Sequence, residues 1–516
     1  MPVNSTHVDY EAAALDWSRA RDVLAGEDAV KAGGEKYLAR LDAQTDEEFA
    51  AYGKRASFFN ATARTAEAYL GLIFRRPPFV KLPSEGTGVG RALAEFQNDA
   101  DMLGTSLTGY AKVVVGDVVG LGRAGSLVDW EGGDARGQGA ERRAYAVFYP
   151  AERIINWRMG RVRGRNVLTL LVLRETANIE HPTSNSEHRT GNTSPQPSPQ
   201  SGEGDPFVSD LVEQIRVLRL IVGEDGDAFC RVDLWQEQAV EGEKGKTEWV
   251  VVDSRVPRRL GKPLPLIPFV FHGPRHSRAD VDRGPLEDII AVNLDHYRLD
   301  ADFKHGLHFT ALPTAWVSGF DKTASLRIGS SSAWVSETPG AAAGFLEFTG
   351  QGLTTFERAM DRDERLMAVL GSRMLEDVKK VGETATAIEL RQSGEYSILG
   401  NVAASVSESL TQLLRWVYWW NSTEELPDDV TSEQVLVTLN SDFSTKGLAS
   451  QDVQAIVAAW QAGAISQDTM HELFRRGEVL PEGRTNPEEA ALIKAGERDR
   501  PAVKALALAQ GAAGKN

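Results

Sequence analysis

Cysteine and the short motifs of several enzyme classes are scarce or absent in this chain. Its one cysteine, Cys230, cannot form an internal disulfide and offers no zinc-ligand spacing, which suits a reducing compartment or a particle assembled in one. The chain contains no G-x-x-x-x-G-K-S/T run, the pattern that predicts ATP hydrolysis. It also contains no G-x-S-x-G run, the pattern that predicts a serine nucleophile. We therefore expect the protein to have neither enzyme activity nor a cofactor.

Long apolar runs and positive charge are also in short supply. No stretch approaches the roughly 18 uncharged apolar residues that a membrane span needs, and the start lacks a basic region followed by an apolar run, so we expect neither a membrane span nor a secretion signal. The chain has 57 Lys and Arg against 73 Asp and Glu, a net charge of −16. Non-specific binding to nucleic acid depends on cations that neutralise phosphates. This charge balance therefore argues against tight DNA binding, but not against DNA passing through the protein.

The patterns that are present predict an α+β protein with more than one domain, since 516 residues exceed one ordinary core. Residues 1–120 have helical spacing, with a capping-box pattern at Thr45 and Glu48. Residues 121–284 are rich in short runs of Val, Leu and aromatic residues between turn residues, which indicates strands. Within them, residues 181–205 are dominated by Ser, Pro, Gly, Asn and Gln, which predicts a flexible surface loop.

The second half predicts a helix, a small β insert, a second helix and a long helical stretch. The first helix covers residues 285–306, with apolar side chains on one face, and the second covers 352–378 with an apolar seam. The packing residues are Leu286, Ile290 and Leu294 in the first helix, and Leu353, Phe356, Met360, Met367, Leu370 and Met374 in the second. Residues 382–420 then read as one long helix whose middle is weakened by Ser393, Gly394 and Gly400.

Gly120 to Gly125 fits the dinucleotide-binding pattern G-x-G-x-x-G. That function needs a strand before the pattern and a helix after it, so that the helix N-terminus faces the pyrophosphate. Here a helical stretch precedes the glycines and a strand-like stretch follows. A glycine turn is the favoured interpretation.

His296, His305 and His308 form the densest group of candidate metal ligands, close to Asp300 and Asp302. His305 and His308 have the i, i+3 spacing of ligand pairs, which leaves a metal-dependent enzyme open as an alternative. However, this pair straddles Gly306 at the predicted end of the helix, where histidines commonly satisfy the last carbonyl groups. A cap or a polar contact between subunits is the competing interpretation.

Four long stretches, in this order, resemble bacteriophage portal proteins, and specifically a portal-like family catalogued as a domain of unknown function. The stretches are residues 37–78, 286–319, 345–360 and 383–416. The resemblance implies a head-tail connector ring of about twelve subunits at one capsid vertex, through which double-stranded DNA is packaged and ejected. It also implies assembly in the bacterial host cytoplasm, a place in the virion, and contacts with the terminase large subunit, the major capsid protein and head-completion or adaptor proteins.

The resemblance implies a portal fold and assigns each region a role in it. The regions are the wing (1–284), the first stem helix (285–306), the clip (307–351), the second stem helix (352–378), the tunnel helix and loop with the return to the wing (379–446), and the crown with the C-terminal tail (447–516). In this family the packaging ATPase belongs to the terminase, so the missing ATP-binding loop is expected. A monomeric capsid-associated binding module is a further alternative.

Two groups of candidate site residues follow from the resemblance. One is a break in the long helix within residues 391–401, where a loop lines the channel and cations touch DNA phosphates transiently. The channel candidates are Lys379, Lys380, Arg391, Gln392, Ser393, Gly394, Glu395, Tyr396 and Gly400. The other group comprises exposed aromatic and cationic side chains that contact the motor or head-completion proteins. These clip candidates are Trp316, Lys322, Arg327 and Trp334.

Overall fold

The structure is a computed structural model in which two compact units divide between Ser441 and Asp442. It describes residues 2–42, 44–130, 143–178, 211–223, 227–240, 246–311, 314–320, 334–346, 352–373, 398–423, 434–441, 443, 450–477, 479–480 and 484–495. The described elements mix helices and antiparallel sheets, which confirms the predicted α+β class. None of the helices in these ranges is long and apolar enough to cross a membrane.

The helices of the first unit occupy its N-terminal third and its C-terminal part. They are α1 (Val8–Ala25), α2 (Glu27–Ala32), α3 (Asp46–Arg55), α4 (Ala61–Ile73), α5 (Gly88–Asn98), α6 (Leu107–Leu121), α7 (Glu287–Ala311), α8 (Leu353–Arg373) and α9 (Ile398–Asn421). At the start of α3 the predicted capping box is present, because the Thr45 hydroxyl accepts from the Glu48 N–H and the Glu48 carboxylate accepts from the Thr45 N–H.

The strands lie mostly between α6 and α7, as the Val- and Leu-rich runs predict. They are β1 (Phe79–Lys81), β2 (Ala124–Trp130), β3 (Ala144–Pro150), β4 (Ile154–Val162), β5 (Arg165–Asn178), β6 (Leu211–Val222), β7 (Ala228–Ala239), β8 (Thr247–Arg255), β9 (Arg258–Arg259), β10 (Lys262–Pro263), β11 (Phe269–His272), β12 (Thr314–Ser318), β13 (Ala342–Leu346) and β14 (Leu436–Thr438).

Antiparallel pairing organises these strands into several sheets. Strands β4 to β8 form a five-stranded meander, and β11, β2 and β3 form a three-stranded sheet with β2 in the centre. Strand β1 pairs with β14, β9 with β10, and β12 with β13. Apolar side chains of the meander, including Ile155 and Ile215, pack with Tyr10 of α1, so the N-terminal helix covers part of that sheet.

Helix α9 is the buried centre of the first unit. Its apolar face packs against α6, α5, β11 and β14, and its Trp420 ring stacks on Trp130 of β2. The side chains of this face are less than 2% exposed: Leu399, Val402, Val406, Leu410, Leu413, Leu414 and Val417. The described part of the predicted long helix, Ile398–Asn421, is therefore a core element of the first unit.

A chain of buried polar side chains ties α9 to the three-stranded sheet. His272 of β11 is hydrogen-bonded through Nε2 to the Ser126 hydroxyl and through Nδ1 to the Ser409 hydroxyl of α9, each at 2.7 Å. The Ser126 hydroxyl also lies 2.6 Å from the Tyr110 hydroxyl of α6. Complete burial lowers the pKa of His272 to about 3, so the imidazole is neutral at physiological pH.

The Gly120–Gly125 segment contains the turn between α6 and β2, at Gly122 and Arg123, which confirms the glycine-turn prediction. Gly122 caps α6 in the left-handed conformation, with φ 81°, and a Cβ there would lie 2.8 Å from the Asp282 carbonyl oxygen. Beside it, Arg123 is 1% exposed and donates from Nη1 to the carbonyl oxygens of Ala279 (2.8 Å) and Asp280 (3.1 Å). The turn thus holds the segment that leads into α7.

The second unit consists of short helices in its described part. They are α10 (Ser450–Gln461) and α11 (Gln467–Arg476), with Ser466 capping α11 by accepting from the Thr469 N–H. Helical residues at 486–495 follow.

Candidate functional site: the paired helices α7 and α8 and the β12–β13 hairpin

Helices α7 and α8 lie side by side in opposite directions, joined through the β12–β13 hairpin. Their 25 and 21 residues give lengths of about 37 and 31 Å. Near the hairpin Gly306 approaches α8 so closely that a Cβ there would lie 2.8 Å from Leu353 Cδ2. One end of the pair is packed into the unit, and the other, which carries the hairpin, is not.

The N-terminal half of α7 is the packed end. Side chains at helical spacing on one face are 2% exposed or less: Leu286, Ile289, Ile290, Asn293, Leu294, Tyr297 and Ala301. The predicted packing residues Leu286, Ile290 and Leu294 all belong to this set. From Asp302 to Thr310, by contrast, no residue is buried.

Asn293 attaches α7 to the start of α4. Its Oδ1 accepts from the Thr62 N–H (3.2 Å) and hydroxyl (2.8 Å), and its Nδ2 donates to the Phe59 carbonyl oxygen (2.7 Å). Sequence patterns did not single out Asn293. The available signal was an amide within an otherwise apolar helix face, where a buried polar group needs partners.

We expect Asn293→Leu to lower the free energy of unfolding by about 2–4 kcal/mol. Leucine has a similar volume but leaves the Thr62 donors and the Phe59 carbonyl without their buried partner. Urea denaturation measures the change. Asp295→Leu, on the exposed side of the same helix, is the control with an expected change within about 0.5 kcal/mol, and an equally mild effect of both substitutions would disprove the role of the amide.

The predicted seam of α8 faces α7, but it is less buried than an ordinary core face. Met367 is buried, whereas Leu353, Phe356, Met360 and Leu370 are half-buried, and Met374 lies outside the described residues. The second predicted helix, 352–378, corresponds to Leu353–Arg373 in the described part. Asp363 lies in the same seam at 2% exposure, a buried carboxylate that the sequence analysis missed.

The first predicted helix ends too early. Helix α7 continues through Gly306 to Ala311, five residues beyond the predicted end at 306, because Gly306 lets α8 approach and does not terminate the helix. The β insert between α7 and α8 accordingly starts later than predicted. Its described part is the antiparallel hairpin that pairs Thr314 with Leu346 and Ser318 with Ala342.

Large apolar side chains are exposed at this free end of the helix pair. Trp316 is 46% exposed on β12, Phe345 is 50% exposed on β13, and Phe309 near the end of α7 is 52% exposed. The Trp316 indole packs over the backbone of Gly344, where a Cβ would lie 3.0 Å from Nε1. We call the set Leu307, Phe309, Trp316, Val317, Val335 and Phe345 the free-end apolar surface.

His296, His305 and His308 lie along α7 and contact different partners. His296 Nε2 lies 3.5 Å from Glu364 Oε1, whereas His305 Nδ1 lies 3.1 Å from Arg55 Nη2. Burial, followed by the Arg55 charge, lowers the pKa of His305. Within the described residues, which include all three histidines and their neighbouring aspartates, no group of three or more His, Cys, Asp or Glu side chains could hold a metal.

Most of the predicted channel residues lie outside the described residues. These are Lys379, Lys380, Arg391, Gln392, Ser393, Gly394, Glu395 and Tyr396. Gly400 is described, and it is buried in the first turn of α9 and not in a loop, so the predicted break does not extend to it. Of the clip candidates, Trp316 and Trp334 are on or beside the hairpin, and Lys322 and Arg327 lie outside the described residues.

The segment that contains this site matches a known family. Residues 285–421, which include α7, the β12–β13 hairpin, α8 and α9, match the family described as Domain of unknown function (DUF4055). The match covers less than half of the chain, so it relates this segment, and not the whole protein, to that family. A comparison with curated proteins finds no match.

Similarities to solved structures are weak. They include a chain of "Virion of native gene transfer agent (GTA) particle", with 12% identity and a TM-score of 0.33, covering 87% of this chain and 98% of that chain. A chain of "Neck of empty GTA particle computed with C6 symmetry" has 11% identity and a TM-score of 0.32, covering 82% and 89%. Identities and TM-scores this low carry no functional conclusion.

Proposed function

We propose that this protein is a bacteriophage portal subunit that forms a homo-oligomeric ring of about twelve copies at one capsid vertex. In this proposal the ring is the channel for packaging and ejecting double-stranded DNA, and it has no catalytic site or cofactor of its own. Helices α7 and α8 are the stem, the β12–β13 hairpin belongs to the clip, and the second unit contributes the crown. The proposal draws on the four sequence stretches that resemble portal proteins.

The free-end apolar surface is the observation that carries the proposal. Its aromatic and aliphatic side chains make no contribution to the core of their own chain, yet they cluster at one end of one helix pair. Large apolar side chains exposed on the two faces of a hairpin and at the adjoining helix end are typical of an interaction site. A neighbouring copy, together with proteins that dock at the clip, is the occupant we propose.

The half-buried seam of α8 is consistent with the same arrangement. In a ring, each helix pair has neighbours on two sides, so apolar side chains that one partner helix covers only in part are covered by the next subunit. Leu366 and Val369, on another side of α8, are 40% and 43% exposed. We infer that they also lie against an adjacent copy.

The acidic balance of the chain suits a conduit. A net charge of −16 on every copy repels DNA phosphates, so that DNA slides without adhering. We propose that Lys379, Lys380 and Arg391 make the few contacts with DNA phosphates in the channel. The terminase large subunit, which supplies ATP hydrolysis, docks on the clip, and the major capsid protein and head-completion or adaptor proteins surround the ring in the virion.

We expect the double substitution Trp316→Ser with Phe345→Ser to raise the protein concentration needed for half-maximal assembly at least tenfold. Each exposed aromatic side chain that becomes buried at an interface stabilises it by roughly 1–2 kcal/mol, and 1.4 kcal/mol corresponds to tenfold. Sedimentation velocity over a concentration series measures the change.

The control for this experiment is Leu103→Ser, which removes an exposed leucine from the α5–α6 connection. It should leave assembly unchanged. If the hairpin variant assembles at the same concentration as the control, the free-end apolar surface is not part of a subunit interface.

A further inference from the structure

A row of arginine side chains crosses four strands of the five-stranded meander. The strand register places Arg158 of β4 opposite Leu170 of β5, Leu170 opposite Arg219 of β6, and Arg219 opposite Arg231 of β7. Residues that pair across neighbouring strands lie on the same face of a sheet, so these side chains share one face. We call Arg158, Arg219 and Arg231 the arginine row.

The arginine row is open to solvent beside a part of the same face that is covered. All three arginines are exposed. Two positions further along the strands, Val172 and Val217 are paired on this face, and they belong to the buried cluster against which Val3 and Tyr10 pack. The arginine row therefore lies just beyond the part of the face that the chain itself covers.

Two of the three arginines have no partner in the part of the chain that the structure describes. The guanidinium groups of Arg158 and Arg219 make no hydrogen bond, ion pair or ring contact there. Arg231 donates from Nε to Asp233 Oδ1 (2.8 Å) and to the Ser254 hydroxyl (3.2 Å). The Asp233 carboxylate is 2% exposed and accepts from Ser254 as well, so it leaves the charge of the other two arginines uncompensated.

The arrangement is unfavourable for the chain alone. Arg219 and Arg231 are directly opposite each other, and like charges in that position destabilise a pair of strands. The whole chain has a net charge of −16, so a local surplus of cations is not a consequence of its composition. An anion from outside that lies over the row relieves the repulsion.

The length of the row indicates what kind of anion fits it. Arg158 and Arg231 are three strand spacings apart, which corresponds to about 14 Å. One phosphate or carboxylate group is too small to contact all three side chains. Double-stranded DNA carries one negative charge per roughly 1.7 Å of its axis, so a row of this length faces several phosphates. The planar guanidinium group also matches phosphate geometry with two parallel hydrogen bonds.

The surroundings of the row favour duplex DNA over a protein surface or a single strand. On this face Leu170 within the row, and Ile221 and Phe229 beside it, are half-buried. The centre of a subunit interface is apolar and poor in charge, which is the opposite of this surface. Single-strand binding relies on successive exposed aromatic rings on which bases stack, and one half-buried ring does not supply them. Exposed cations alone suffice for contacts with a phosphate backbone.

We propose that the arginine row binds the phosphate backbone of double-stranded DNA, at a site separate from the channel residues Lys379, Lys380 and Arg391. The contact has no base specificity and is sensitive to salt, since it consists of charge on both sides. The acidic remainder of the chain repels phosphate and confines the contact to the row. The inference goes beyond the proposed function, because it needs neither a ring nor a channel.

The test is the double variant Arg158→Gln with Arg219→Gln in the full chain. Both side chains are exposed and without partners, so the variant should keep the thermal midpoint of the original chain or exceed it. The probe is a covalently closed circle of double-stranded DNA, which cannot thread through a ring. Filter binding at about 50 mM salt should show a dissociation constant raised at least tenfold. The slope of log K against log salt should become shallower by about 1–2, because each lost phosphate contact contributes about 0.9.

The matched control is Lys54→Gln with Arg91→Gln. It removes the same two positive charges from exposed side chains of α3 and α5. This variant should bind the DNA circle as tightly as the original chain, because net charge alone does not create the site.

Each outcome decides the inference. It is supported if the row variant binds the circle at least tenfold more weakly than the control. It fails if the original chain does not bind the circle, or if the row variant and the control bind equally, since the row is then a solvated face. It also fails if DNA binding is unchanged while the row variant needs more protein to oligomerise, because an acidic surface of another copy then occupies the row. Ring formation tests the proposed function independently of these results.

Discussion

Replacing His272 with alanine is expected to lower the free energy of unfolding by about 3–5 kcal/mol. The imidazole is 1% exposed and joins β11 to Ser126 of β2 and to Ser409 of α9. Alanine removes a ring from a packed core and takes one of the hydrogen-bond partners from each of two buried hydroxyls. Urea denaturation followed by tryptophan fluorescence measures the loss.

The pH dependence of this effect has a definite sign. The folded-state pKa of His272 is about 3, below the ordinary value of 6.5, because burial disfavours the charged ring. Its neutral form therefore stabilises the fold fully above pH 6.5, and this stability is lost as the pH falls toward 3, since the unfolded chain takes up the proton first. At about 1.4 kcal/mol per pH unit, the destabilising effect of His272→Ala should shrink by roughly 2–3 kcal/mol between pH 6.5 and 4.5.

His308→Ala is the matched control, because His308 is an exposed histidine of α7. It should change the free energy of unfolding by less than about 0.5 kcal/mol at either pH. A His272 variant whose cost is as large at pH 4.5 as at pH 7 would contradict the assignment of a buried neutral imidazole.

Arg123→Ala is expected to lower the free energy of unfolding by about 3–4 kcal/mol. The guanidinium carbon lies 4.2 Å from the centroid of Trp157 and 4.7 Å from that of Phe271, so the side chain fills the space between two rings. Burial lowers the pKa of Arg123 to about 10, which still leaves it charged at physiological pH. Alanine opens a cavity and removes the donor to the carbonyl groups of Ala279 and Asp280.

Two further substitutions separate volume from hydrogen bonding at this position. Arg123→Met restores much of the volume and should cost only about 1–2 kcal/mol, because the two carbonyl groups stay unpaired while a buried charge is removed. Arg158→Ala, at an exposed arginine of β4, should have almost no effect. Equal losses for the alanine and methionine variants would show that packing between the rings is unimportant.

Patterns local in sequence predicted much of this fold. The capping box at Thr45, the glycine turn before β2, the strand-rich middle and the order of helix, small β insert and helix are all present. Each depends on residues within a few positions of one another, so periodicity and turn chemistry suffice. The end of α7 was misplaced because glycine at 306 has the appearance of a stop signal, whereas it serves close helix packing.

The features that sequence reasoning missed depend on contacts between distant segments. Asn293 meets Thr62 from 231 positions away, and Arg123 reaches Ala279 from 156 positions away. The one available signal was a polar residue within an apolar helix face. Such a residue indicates that a buried partner exists, but it identifies neither that partner nor how far away along the sequence it lies.

Single-particle images of the purified chain test the central claim most directly. The portal proposal predicts symmetric annuli with a central hole and about twelve subunits, without bound metal in stoichiometric amount. Monomers that persist at high protein concentration would contradict the portal proposal and favour a capsid-associated binding module. Stoichiometric zinc or iron bound through His296, His305 and His308 would also contradict it and would favour a metal-dependent enzyme.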